Sequence, residues 1–140
     1  MLETEPTLIE EYVRTGKARL VYRHLVQLGA GSQTLAEASE CAGAQGRFWE
    51  MREMLYARQS DLFGVTGYAG VAPLAQELEL DEPKFQQCMD QHDFAKQVLA
   101  DADAAQREGI VSRPVMDIAG NRIIGAQPVE RFREALDAAR

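Results

Sequence analysis

The sequence predicts an α/β domain in which a block of helices is inserted between an early strand and a late β-hairpin. Three observations carry this. Ala18 to His24 places Leu20, Tyr22 and His24 on one face and Arg19, Val21 and Arg23 on the other, the period of two of a strand. From Gly29 to about Gly109 the apolar period is helical throughout. Val115–Ile118 and Arg122–Ile124 are two short β-branched runs separated by Ala119-Gly120-Asn121, residues that tolerate positive φ, so they form a hairpin.

Pro6 suits a first helical turn, Leu8, Ile9, Tyr12 and Val13 recur at helical spacing, and Gly16 supplies a stop, which predicts a helix from about Glu3 to Thr15. The 18–24 strand follows. Gly31-Ser32-Gln33-Thr34 reads as turn material before a helix over Leu35 to Ala44. After Gly46, the stripe Phe48, Trp49, Met51, Met54 and Leu55 marks the next helix, with Phe48 and Trp49 expected in the core. Residues 60–67 form a loop. Val71, Leu74, Ala75 and Leu78 mark a short third helix, Asp81 with Pro83 opens a fourth through Met89, and a fifth runs from Asp93 to Glu108. Pro128 begins the last helix, with Val129, Phe132, Leu136 and Ala139 inward.

With 140 residues, of which 46% are hydrophobic, the chain is expected to be a single domain. A net charge of −7 argues against nucleic acid, whose binding domains cluster Lys and Arg to release counterions, and against an anionic membrane surface. No window approaches the roughly 18 apolar residues of a membrane span, and Met1-Leu2-Glu3-Thr4-Glu5 is acidic where a signal peptide needs a positive start. As written, the chain is expected to carry no export address. Pro114 heads the first strand of the hairpin, where it either fixes a cis bond and an exposed backbone or simply starts an edge strand in the trans form.

Ser112-Arg113-Pro114, a strand, Gly120-Asn121-Arg122, a second strand, Gly125-Ala126-Gln127-Pro128 and a final helix together resemble the C-terminal half of the DsbA-like thioredoxin family. Leu8–Val13, Thr15–Lys17, Arg19–His24, Ala36–Ala42 and Gln45–Glu50 match earlier family segments in the same order, so the resemblance covers nearly the whole chain. It implies a thioredoxin-like fold with core segments 1–28 and 109–140 and a helical insertion at 29–108. It also implies thiol–disulfide exchange on protein or peptide substrates, an extracytoplasmic setting and no cofactor. Arg113 and Pro114 fall on the family's substrate-docking positions. Two departures stand out: Ser112-Arg113 replaces the usual Gly-Thr, and there is no Cys-x-x-Cys.

In the family, the dithiol and a central strand precede the residues matching Glu5–Glu11, whereas here only Met1–Thr4 do. The chain as given is therefore expected to be truncated and catalytically silent, with a vacant strand position whose unpaired edges a partner chain, such as a second copy, would cover. The alternative is a redox-inactive module that binds peptide or its own copy. Cys41 and Cys88 have three readings: a structural disulfide, two buried thiols, or a redox pair. Neither begins a helix in electropositive surroundings, so a reactive thiolate is not expected. His24, Cys41, Cys88 and His92 can be drawn as a zinc set, with Cys88 and His92 one helical turn apart, but the halves lack paired close spacing and no metal site is predicted.

Overall fold

Pro6 costs nothing in a first helical turn, because its missing N–H would have no intrahelical acceptor there. The computed structural model describes residues 3–139 and places α1 at Thr4–Leu8, continued by a π-helical turn over Ile9–Val13. Leu8 and Tyr12 are its buried residues. Gly16, at φ +75°, ends the segment, and the Lys17 and Ala18 amides both donate to the Tyr12 carbonyl at 2.8 and 2.9 Å.

The expected strand at 18–24 is not formed. Residues 18–27 have no regular secondary structure. Alternating side chains give a segment two faces, but a strand exists only where a neighbouring backbone pairs with it. Among the described residues, the one sheet has two strands, and 18–24 is in neither.

Two compact units result, one formed by Met1–Tyr22 with Ala105–Arg140 and the other by Arg23–Ala104. The helical unit carries α2 at Gly29–Gly43, α3 at Phe48–Ala57, α4 at Gly67–Glu77 and α5 at Glu82–Asp90, with most of α6 at Ala95–Arg107. Gly31-Ser32-Gln33-Thr34 lies inside α2 rather than in a turn before it. The reason for Gly31 is packing: a Cβ there would meet the Gly64 Cα at 3.2 Å and the Val65 carbonyl oxygen at 3.3 Å. At α5, Asp81 caps the helix as the sequence indicates, its Oδ1 accepting from the Lys84 amide at 3.2 Å. The core is built on Ala38, Cys41, Met51, Val71, Leu74 and Phe85.

One expected core residue is outside. Phe48 is half-buried, but Trp49 is 43% exposed; its ring takes Phe48 edge-on at 5.1 Å, and the Arg52 guanidinium lies 5.6 Å from its centroid. On adjacent helical positions only one of two aromatics can face inward, and the close approach of Gly43 to the Phe48 Cβ selects Phe48.

The second unit pairs the hairpin with α1 and α7. Strands β1 (Val115–Ile118) and β2 (Asn121–Ile124) are antiparallel, with Val115 opposite Ile124 and Ile118 opposite Asn121. The turn is therefore the two residues Ala119 and Gly120, both at positive φ (+50° and +85°), the twist that matches a hairpin. Asp117 Oδ1 accepts from the Gly120 amide at 2.9 Å. Helix α7 (Val129–Ala138) buries Phe132 and Ala135 with Leu8, Tyr12 and Ile123. On its surface, Arg133 donates to both oxygens of Glu11 at 2.8 and 2.5 Å. This hydrogen bond, aided by the arginine's charge, lowers the Glu11 pKa and raises that of Arg133.

Candidate functional site

Antiparallel pairing dictates which backbone groups of the hairpin are offered outward. The Gly125 amide donates to the Pro114 carbonyl at 2.8 Å, which makes 114 opposite 125 a hydrogen-bonded position. Alternation then turns the backbone groups of Met116 and Ile118 toward β2, and those of Val115 and Asp117 toward the far edge of β1. That edge has no ladder partner among the described residues. Pro114, which has no N–H to give, sits at its start, and the Arg113–Pro114 peptide bond is cis.

Before the strand, Val111, Ser112 and Arg113 are all exposed, Val111 at 80%. The two residues the sequence singled out, Arg113 and Pro114, are thus adjacent at the mouth of an open strand edge, with Arg113 in solvent and Pro114 half-buried. An extended polypeptide laid beside Val115 would find an outward amide and carbonyl to pair with, an arginine able to take a carboxylate, and apolar neighbours.

The cysteines lie in the helical unit and contribute nothing to this edge. Cys41 on α2 and Cys88 on α5 are joined as a disulfide, with their Cα atoms 5.9 Å apart, and no free cysteine is present among the described residues. Both are buried. Of the three readings open from the sequence, two free buried thiols is the one this bond removes.

The two histidines separate as well. His24 is 4% exposed; its Nε2 is 2.7 Å from Glu40 Oε1, and its backbone amide donates to Asp101 Oδ2 at 3.1 Å. Phe48 packs against the imidazole edge-on. His92 instead holds Glu37, Nδ1 to Oε1 at 2.9 Å. The zinc set drawn from the sequence is therefore not assembled: its sulfurs are bonded to each other, and each histidine has its own carboxylate. Among the described residues, no group of three or more His, Cys, Asp and Glu is placed to hold a metal ion.

Sequence reasoning missed the acidic partners Glu37, Glu40 and Asp101. Glu37 and Glu40 interrupt an otherwise small-residue helix, Ala36 to Ala44, on positions that face inward with Cys41; a charge on the buried face of a helix was the available signal.

The family described as Thioredoxin matches residues 2–138. A crystal structure of a thioredoxin-like oxidoreductase from Silicibacter pomeroyi superposes with a TM-score of 0.64 at 27% identity, covering 86% of this chain and 67% of that one. Among curated proteins, the Na(+)/H(+) antiporter NhaA 1 of Salinispora arenicola is 30% identical and NhaA 3 of Salinispora tropica 31% identical, each over 98% of this chain. The chain spans about a fifth of the length of these relatives, 21% of each. With a proline-headed hairpin, a terminal helix packed on it and a helical insertion between the core segments, this chain belongs to the thioredoxin family and has its DsbA-like form.

Proposed function

We propose that the open edge of β1, from Arg113 to Asp117, docks extended polypeptide for a DsbA-like thiol–disulfide oxidoreductase, and that these 140 residues alone do not turn over disulfides. The observation that carries the docking reading is the edge itself: Val115 turns its backbone outward beside an exposed Arg113, with no ladder partner among the described residues. Membership of the thioredoxin family supports it. The silence follows from the sulfur inventory, since exchange needs an accessible thiolate and the sequence has two cysteines, both buried and bonded to each other. Antiport, the activity named for the curated relatives, is not proposed for this region.

Two measurements test the reading. In an insulin-reduction assay with dithiol, the chain should give the uncatalysed rate; acceleration above it would overturn the inactivity. Titration with an extended acidic peptide should shift the backbone amide resonances of residues 113, 115 and 117, and Val115→Pro, which removes the outward amide, should abolish the shifts. Shifts confined to other residues would overturn the docking.

A second copy of the chain is the competing occupant, favoured by the exposure of Val111 and Ile124 on the hairpin unit. Sedimentation separates the two: a concentration-dependent dimer that Val115→Pro dissolves selects self-association, and a monomer at all concentrations removes it.

A further inference from the structure

The open edge of β1 carries opposite charges at its two ends. Arg113 stands exposed at the entrance, and Asp117, also exposed, is near the far end of the strand. Four residues of extended chain separate them, about 13 Å at the rise of a strand. Between them Val115 is half-buried, and the register sets it opposite Ile124, which is 58% exposed. Along its length the edge therefore presents a cation, an apolar patch and an anion.

The charge at the Asp117 end is a net one. Its Oδ1 accepts from the Gly120 amide at 2.9 Å, and its Oδ2 lies 3.9 Å from Arg122 Nη2. Arg122 is held more closely by Glu108, donating from Nη2 to Oε2 and from Nη1 to the backbone carbonyl, both at 3.0 Å. Two carboxylates around one guanidinium leave this end negative.

The backbone decides how a ligand strand is aligned with these charges. Val115 and Asp117 point their amides and carbonyls away from β2, so an incoming strand makes its hydrogen bonds opposite 115 and 117. Pro114 does not interrupt this row, because its carbonyl faces β2 and takes the Gly125 amide at 2.8 Å. In an antiparallel approach each of the two residues exchanges both bonds with a single ligand residue straight across the gap, and this is the somewhat more stable of the two directions.

We propose that the edge selects an extended segment that runs antiparallel to β1 and reads, from its N-terminus, basic, any, apolar, any, acidic. The basic residue falls opposite Asp117, the apolar one opposite Val115 and the acidic one opposite Arg113. This rests on the docking reading above and adds to it the class and the direction of what docks. Bonds to the backbone supply affinity common to any extended segment, whereas Arg113 and Asp117 supply the choice. Like charges set opposite each other disfavour pairing, so the reversed order is actively rejected. The segment Arg113-Pro114-Val115-Met116-Asp117 itself has this pattern, which makes a second copy of the strand the rival occupant.

The test uses the full 140-residue chain and two capped peptides of one composition, acetyl-Lys-Thr-Val-Thr-Glu-amide and acetyl-Glu-Thr-Val-Thr-Lys-amide, titrated at low salt while backbone amide resonances are followed. Both should shift residues 115 and 117, with the first peptide binding about tenfold tighter, since two exposed pairs are matched in one order and opposed in the other. High salt should shrink the preference. Arg113 is in solvent, so Arg113→Glu should keep the fold; each peptide then has one matched and one opposed pair, and their affinities should become equal. Equal binding of the two peptides to the wild-type edge would overturn the charge selection and leave the docking intact, and a preference for the second peptide would overturn the direction. Failure of both to move these resonances would remove the docking itself. A dimer in sedimentation that the first peptide does not dissociate would give the edge to the second copy and overturn the segment as its occupant.

Discussion

The two units hold themselves together by different means. The 23–104 unit has a disulfide between α2 and α5, a His24–Glu40 pair whose imidazole is buried, and a core around Phe85 and Met51. The unit of 1–22 and 105–140 has no covalent tie; its hairpin and α7 pack through Phe132 and Ile123, and its best-formed ion pair, Arg133–Glu11, is on the surface. Interior fastening suits the helical block, whose helices are joined by short connections. The unit bearing the open strand edge relies on apolar packing, so its local stability should be the lower of the two, as is common for binding elements.

The largest expected effect is on the helical block. Cys41→Ser with Cys88→Ser removes a cross-link spanning 47 positions, worth about 4 kcal/mol in the chain-entropy model. Residue-resolved hydrogen exchange should show protection lost across residues 34–98, with the 115–124 hairpin changed less. Equal loss in both units would break the comparison. Next is His24→Ala, which leaves Glu40 without its buried partner and should cost about 1–3 kcal/mol in denaturant unfolding.

In the hairpin unit the expected changes are smaller and one is a gain. Ala119→Asn places at a left-handed turn position a residue that accepts it, and should raise stability by about 1 kcal/mol in the same assay. For Glu11 the sign follows from its lowered pKa: the folded state binds its proton less readily than the unfolded state, so the pair's contribution is present above the ordinary carboxylate pKa and lost as pH falls through the depressed folded value. It is an exposed pair, and its effect should be the smallest of the four. Carboxyl NMR should show Glu11 titrating below ordinary glutamates, and returning to their range in Arg133→Ala.

Much of this architecture was legible in the residues. Asp81 with Pro83, Gly120 in the hairpin turn and the inward face of α7 at Phe132 declared themselves because each obeys a local rule of capping, turn geometry or period. The failures are long-range. Alternation over 18–24 says which faces a strand would have but not whether another backbone lies beside it. Gly31 looks like a turn until Gly64 is known to press against it. Adjacent Phe48 and Trp49 look equally apolar, and only the approach of Gly43 separates them. At the candidate edge, Arg113 and Pro114 could be found by pattern, whereas the outward aim of Val115 depends on the register with β2. Glu37 was overlooked because its burial depends on α5, 45 or more positions along the chain.

The hairpin unit is written in two instalments. Its first helix leaves the ribosome with Leu8 and Tyr12 uncovered, and the residues that shelter them, Ile123 and Phe132, are translated only after the entire helical block. The block can close, and its cysteines can meet, as soon as residue 104 has emerged, so synthesis itself imposes an order in which the fastened part matures first and the part with the open edge is the last to be sealed.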